Sequence, residues 1–155
     1  MPSSLKARWM QFKFNLFPCY RRTGAKVVYV ADDFREVHIH LPLNWKTRGY
    51  FGTTFGGSMY GAVDPVYMVM LNVLLGPQYR VWDKEAKIEF LRPGRSTLEA
   101  RFVVLKSDTD AIVEALGAGS KMDKTYYVDL TSPAGEIHAH FEKILHIHRR
   151  EHKNQ

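Results

Sequence analysis

Between Gly49 and Tyr79 the chain carries a single charged side chain, Asp64. A glycine-rich segment opens this stretch, and an apolar run follows it up to the helix-stopping pair Gly76-Pro77. The pattern predicts a buried helix with one acid near its start. A buried carboxylate is costly unless it is paired, neutralised or used in chemistry. We therefore interpret Asp64 as the strongest candidate for a reactive group.

The apolar run at residues 58–75 is barely long enough to cross a membrane. It also contains Asp64, Pro65 and Asn72, which favour the core helix of a folded domain over a membrane span. Proline lacks an amide hydrogen, so we expect Pro65 to kink the helix beside Asp64.

Composition sets broad limits on the protein class. The 155 residues suit one domain, and 45% hydrophobic with 25% charged residues is typical of a globular protein. The net charge of +6 favours an anionic partner. The sequence lacks a basic stripe with interleaved aromatic residues, so it does not predict nucleic-acid binding. Cys19 is the only cysteine, which excludes an intrachain disulfide and fits a reducing compartment. We predict a cytoplasmic protein.

The first 17 residues predict an amphipathic helix, and no acidic residue precedes Asp32. We favour a helix that packs on the body of the protein. The less favoured alternative is a targeting peptide or a helix on a membrane surface. One helical face of this segment holds Leu5, Trp9, Phe12 and Leu16.

Alternating apolar and polar residues predict a run of strands after the apolar helix, and two before it. A short helix is predicted at Asp110–Leu116. In the last strand, Lys143 falls on the apolar side unless a bulge shifts the register. The order favours an α+β fold in which a curved antiparallel sheet wraps around the long central helix. The strand patterns cover residues 27–30, 36–41, 86–90, 98–104, 126–130 and 137–141.

The turn Phe55-Gly56-Gly57 is followed by Asp64, seven residues after the second glycine. This spacing resembles the signature of the hotdog-fold thioesterase superfamily, in which the phenylacetyl-CoA thioesterase-like branch has a His-Gly-Gly turn before a helical Asp. The chain departs from that pattern because Phe55 replaces the motif histidine. The loop asparagine of some relatives has no clear equivalent either, and Asn44 is the nearest.

Other segments extend the resemblance over residues 18–148. Phe90–Gly94 looks like the family's apolar-Leu-Arg-Pro strand end, and Ser132–Glu136 looks like its final hairpin. Pro18–Gly24 and Phe55–Pro65 look closer still to a branch known only as a domain of unknown function. The resemblance implies a single hotdog domain over residues 1–155, with an N-terminal helix at 1–17 and a basic tail at 149–155.

The resemblance also implies an activity. Backbone amides of Gly57 and Ser58 at the helix start could stabilise an oxyanion, and Asp64 could activate water or act as a nucleophile. We expect a thioester hydrolase that acts on acyl-CoA and needs no cofactor. The resemblance implies a homodimer or homotetramer, in which the glycine turn of one subunit meets Asp64 of another across the interface. The alternative, favoured by Phe55, is a non-catalytic module that binds acyl-CoA or lipid. Candidate substrate contacts are Phe55, Gly56, Asn44, Tyr60, Arg92 and Arg95, the two arginines lying where coenzyme A phosphates bind in relatives.

Three His-x-His pairs could in principle hold zinc, because alternate residues of a strand share one face. Lys, Glu and Arg surround them on the polar faces of their strands, so we favour solvated histidines and predict no metal site. The pairs are His38/His40, His138/His140 and His146/His148.

Overall fold

The structure, a computed structural model, describes residues 4–150, and the predicted basic tail falls outside this range from residue 151 onward. The helices of the described chain are α1 (Leu5–Leu16), α2 (Pro18–Thr23), α3 (Gly56–Val63), α4 (Val66–Leu75) and α5 (Lys106–Ala118). The strands are β1 (Lys26–Val30), β2 (Glu36–Leu41), β3 (Tyr79–Phe90), β4 (Leu98–Val103), β5 (Lys121–Thr131) and β6 (Ile137–Arg149).

The strands form one sheet in the order β1-β2-β4-β5-β6-β3, and every neighbouring pair is antiparallel. The chain leaves β2 near one edge of the sheet and returns as β3 at the opposite edge. The connecting helices α3 and α4 therefore cross the inner face, where every second strand residue is buried. The predicted α+β fold with a long central apolar helix is confirmed.

The central helix is interrupted once, where α3 ends at Val63 and α4 begins at Val66. Asp64 and Pro65 between them keep right-handed helical backbone angles, so the two helices form one run with a single interruption. By length and composition alone, Gly56–Leu75 could cross a membrane, but half of its apolar window is buried inside the protein. It serves as the core helix of this fold.

Several elements are longer than the sequence pattern predicts. Strand β3 begins at Tyr79 rather than Ala86, because a register shift between Asp83 and Glu85 separates the alternation at Tyr79 and Val81 from the predicted part. Strand β5 begins at Lys121, where no residue before Tyr126 is buried. The segment Pro18–Thr23 forms a short helix, which Gly24 ends in the left-handed conformation at φ 85°.

Helix α1 packs on strand β1, as favoured, but through the face opposite to its apolar stripe. Ala7 is fully buried, and the Asn15 amide exchanges two 2.8 Å hydrogen bonds with the backbone of Val27. Gln11 donates a further bond to the Val27 carbonyl at 3.2 Å. The expected packing face is exposed instead, at 84% for Leu5, 57% for Trp9, 54% for Phe12 and 53% for Leu16.

Strand β6 continues through Lys143 in regular register, paired with Tyr126 of β5 and Ala86 of β3. The irregularity in this part of the sheet lies on β3, between Asp83 and Glu85. Lys143 therefore points to the inner face as the alternation requires, and its side chain is fully buried.

Candidate active site

The glycine turn forms the N-terminus of α3, with Phe55 as the residue before the helix. The Phe55 carbonyl accepts the amides of Ser58 at 3.0 Å and Met59 at 3.1 Å. The amides of Gly56 and Gly57 have no acceptor within residues 4–150. Unpaired amides at a helix N-terminus attract negative charge, so this turn can bind an anionic or developing oxyanion group.

A cleft of about 360 Å³ lies beside this turn, between the start of α3 and the end of β3. Gly56 and Met59 form one wall, and Phe90, Leu91 and Arg92 form another. A Cβ at position 56 would lie 3.3 Å from the Phe90 ring, so glycine allows the two elements to approach closely. The cleft is thus mainly apolar, with one arginine at its rim.

The side chain of Phe55 covers Gly57. A Cβ at position 57 would lie 2.4 Å from the Phe55 ring, so any side chain there must displace the ring. Phe55 is 59% exposed. The aromatic ring therefore lies against the Cα of the glycine whose amide the sequence motif assigns to oxyanion binding.

Asp64 follows the last residue of α3 and forms an ion pair with Lys143, whose Nζ lies 2.6 Å from its Oδ1. Lys143 is fully buried, whereas the Asp64 side chain keeps 35% of its surface exposed. The same Nζ lies 2.9 Å from Oδ1 of Asp83, on β3. The acid of the central helix is therefore one of two carboxylates that share a buried cation.

Burial and charge act in opposite directions in this cluster. For Lys143 burial alone lowers the pKa, but the contacts with Asp64 and Asp83 outweigh it and raise the pKa above its usual value. For Asp83 burial dominates and raises the pKa despite the neighbouring ammonium. Charge rather than a well-directed hydrogen bond joins Lys143 to Asp83.

Tyr60 lies one helical turn before Asp64 and belongs to the same cluster. Its ring centroid is 5.4 Å from Lys143 Nζ. Burial first, and then the carboxylate of Asp64, raise the pKa of the phenol. Tyr60 thus remains a neutral hydroxyl beside the carboxylate at physiological pH.

The predicted site residues fall into two groups. Asp64 and Tyr60 lie in the lysine cluster, whereas Phe55, Gly56 and Gly57 lie at the glycine turn. Seven residues of helix separate Gly57 from Asp64, which corresponds to about 10 Å along the axis. Within one chain these groups are too far apart to act on the same carbonyl.

The other predicted contacts are distributed around the glycine turn. Arg92 lines the cleft beside the turn and donates to the Ile137 carbonyl at 3.1 Å. Arg95 lines a neighbouring cleft of about 540 Å³, which Arg92 also borders. The Asn44 side chain accepts the Lys46 amide at 2.9 Å and shapes its own loop.

Sequence reasoning missed Lys143 and Asp83 as members of the site. The signal for Lys143 was its place on the apolar side of an otherwise regular strand, a position that an unpaired lysine avoids. Asp83 gave no comparable signal, because it lies outside the strand predicted from alternation.

The histidines are mostly held by neighbouring acids on the outer face of the sheet. His140 Nδ1 lies 2.6 Å from Oδ1 of Asp129, and His146 Nδ1 lies 2.6 Å from Oδ1 of Asp123. His138 differs because it is buried, with Nδ1 3.1 Å from the Pro93 carbonyl. Residues 4–150 contain no group of three or more His, Cys, Asp or Glu side chains placed to hold a metal ion.

Comparison with known protein families identifies one family whose pattern matches most of the chain. The family described as Domain of unknown function (DUF4442) matches residues 7–147. This chain belongs to the DUF4442 family. No curated protein matches it.

Solved structures of similar shape show how the DUF4442 chain folds. A protein of unknown function from Pseudomonas aeruginosa, named a probable thioesterase, aligns with a TM-score of 0.82 at 14% identity over 97% of this chain and 99% of its own. A thioesterase from Haemophilus influenzae aligns with a TM-score of 0.70 at 13% identity over 98% and 97% of the two chains. A protein of unknown function from Chlorobaculum tepidum aligns with a TM-score of 0.74 at 12% identity over 92% and 94%. The fold of this chain is the hotdog fold.

Proposed function

We propose that this DUF4442 protein is a cytoplasmic hydrolase of acyl thioesters, with acyl-CoA as its substrate class. The observation that carries the proposal is the Asp64 carboxylate. It stands in the middle of an otherwise apolar core helix, held by the buried Lys143 and still open to solvent on one side. The likeness in fold to proteins named thioesterases supports the same reaction class.

In the proposed reaction Asp64 takes a proton from water as the water oxygen attacks the thioester carbonyl. The ammonium of Lys143 donates to one carboxylate oxygen of Asp64 and so fixes its position. The amides of Gly56 and Gly57 stabilise the oxyanion, because the Ser58 amide already donates to Phe55. The carbon–sulfur bond then breaks, and the proton held by Asp64 passes to the leaving thiolate. The products are a carboxylic acid and a free thiol.

The proposed enzyme is a homodimer, since one chain does not bring Asp64 and Gly57 together. Strand β3 pairs with β6 along one side, and its other side has no strand partner in residues 4–150. A twelve-residue open strand edge is a template for pairing with another strand. Pairing of two β3 edges would extend the sheet across the dimer and bring the helix start of one subunit towards Asp64 of the other.

Activity of the Asp64→Asn variant tests the role of the carboxylate. We expect kcat/KM for acyl-CoA substrates to fall by about 100-fold or more, because general-base catalysis contributes at least that much. Thiol release from a panel of chain lengths is the measurement, with Asp129→Asn on the outer face as the matched control. Equal turnover by wild type and Asp64→Asn would remove Asp64 from the mechanism.

Mixed dimers test whether the site is shared. Asp64→Asn and Gly57→Val should each be inactive alone. Random co-assembly gives about half heterodimers, each with one intact site, and so about a quarter of wild-type activity. No recovery in heterodimers confirmed by mass would show that both groups come from one subunit.

A non-catalytic acyl-CoA-binding module is the second candidate. Phe55 favours it, because a phenyl ring packed against Gly57 takes the place of the motif histidine and cannot exchange protons. Calorimetric binding of acyl-CoA without release of thiol would select this function over hydrolysis.

A further inference from the structure

We propose that the outer face of helix α1, together with the cationic cleft that follows it, docks the protein on an anionic phospholipid surface. This inference concerns a different region from the thioester site and goes beyond the proposed function. It begins with the exposed stripe of four large apolar side chains on α1, Leu5, Trp9, Phe12 and Leu16.

The exposed side chains of the stripe are neighbours on one helical face and form a connected apolar surface. The rings of Trp9 and Phe12 stack with centroids 5.7 Å apart. Phe17, directly after the helix, is 62% exposed and extends the apolar surface. The helix keeps this face outward because its other face is held by the hydrogen bonds of Gln11 and Asn15 to strand β1. Exposed apolar residues in a row mark an interaction surface more often than singly exposed ones do.

Cations accompany the stripe. Lys6, Arg8 and Lys13 are exposed on α1, and Lys13 Nζ lies 5.2 Å from the Trp9 ring centroid. Residues 1–31 include six lysines and arginines and no acid. A helix with Trp, Phe and Leu on one face and basic residues beside them is typical of segments that lie in the interface of an anionic membrane.

A cationic cleft of about 620 Å³ follows directly after the stripe. It begins at Pro18, and its walls include Arg21, Arg22, Lys46 and Trp45. Trp45 is 84% exposed, with Lys46 Nζ 5.3 Å from its ring centroid. Arginine and lysine bind phosphate groups, and tryptophan prefers the level of lipid headgroups. The apolar stripe and the cationic cleft therefore fit one occupant, a surface of anionic phospholipid.

A second copy of the chain fits this face less well. Two copies would bring the six cations of residues 1–31 in each chain together, against Asp32, which accepts the Ser4 amide at the start of α1, on a chain of net charge +6. Charge complementarity thus favours a lipid surface over self-association.

Vesicle co-sedimentation of the full-length protein tests the proposal. We expect binding to vesicles of phosphatidylcholine with phosphatidylglycerol and little binding to phosphatidylcholine alone, with tryptophan emission shifting to shorter wavelength. Trp9→Ser with Phe12→Ser should weaken partitioning by at least about tenfold, because bound apolar area sets the affinity. Arg21→Gln with Arg22→Gln should weaken it at low salt and remove most of its salt dependence.

The matched control is Leu105→Ser with Val113→Ser, which removes two exposed apolar side chains at helix α5. This variant should bind vesicles like wild type. Failure of wild type to bind either vesicle overturns the proposal. So does self-association that Trp9→Ser with Phe12→Ser abolishes, because the stripe would then be an interface between copies. Thioester hydrolysis measured on soluble substrate should be unchanged in all these variants, which separates this test from that of the proposed function.

Discussion

The two faces of the sheet hold ion pairs of nearly equal length in very different surroundings. On the inner face Lys143 Nζ lies 2.6 Å from Asp64, and the lysine side chain is fully buried. On the outer face Arg101 Nε lies 2.7 Å from Glu36, and 64% of the arginine side chain is exposed. Breaking the inner pair leaves a charge away from water, whereas breaking the outer pair returns both groups to solvent. The distance between the charged atoms alone therefore does not show which ion pair matters more for stability.

The comparison also bears on function. A buried ion pair is often no more stabilising than apolar side chains of the same volume, so stability alone does not explain why one stands in this core. The inner cluster holds two carboxylates for one ammonium, with Asp64 open to solvent. This arrangement holds the Asp64 carboxylate in place within an otherwise apolar helix, where the proposed hydrolysis needs it.

Replacing Lys143 should give the largest effect. Lys143→Met leaves Asp64 and Asp83 facing each other without a cation, so we expect the free energy of unfolding to fall by about 3 kcal/mol or more. Urea denaturation measures it. Arg101→Met on the outer face is the matched control and should move the denaturation midpoint far less. Equal losses in the two variants would show that burial does not distinguish the pairs.

A combined variant sharpens the same experiment. Lys143→Met with Asp64→Asn and Asp83→Asn removes all three charges at once, so it should recover much of the stability lost in Lys143→Met. It should not recover thioester hydrolysis. Recovery of both stability and hydrolysis would mean that the charges of the cluster have no role in catalysis.

The smallest effect is expected in the pH dependence of the outer pair. The hydrogen bond from Arg101, and then that from His38, lower the pKa of Glu36 from 4.5 to about 2. Because the folded-state pKa is the lower one, the pair stabilises the fold above the unfolded pKa, and this stability is lost as pH falls from about 4.5 towards 2. Thermal melts of wild type and Glu36→Gln should differ modestly at pH 6 and converge near pH 2. A difference that stays constant over this range would contradict the assignment.

Much of the fold could be predicted from local patterns. Alternation in β2 predicted its bounds, Glu36–Leu41, and the apolar run predicted the central helix, which is interrupted at Asp64 and Pro65. The start of β3 could not be predicted because the register shift between Asp83 and Glu85 interrupts its alternation, and the start of β5 because alternation fades there. The candidate site was predicted only in part, since periodicity identifies Asp64 as unusual without showing what it contacts.

The sequence by itself determined the antiparallel α+β architecture, the single acid of the core helix and the apolar stripe of α1. The tertiary structure decided what each of these meets. Lys143 lies 79 residues from Asp64 along the chain, and the pair forms because β6 passes under the central helix. Helical periodicity likewise places Trp9 and Phe12 on one face, but only the hydrogen bonds of Gln11 and Asn15 with the edge strand β1 determine that this face is turned outward. Local patterns record which residues share a surface, whereas the partner of that surface depends on contacts between segments distant in sequence.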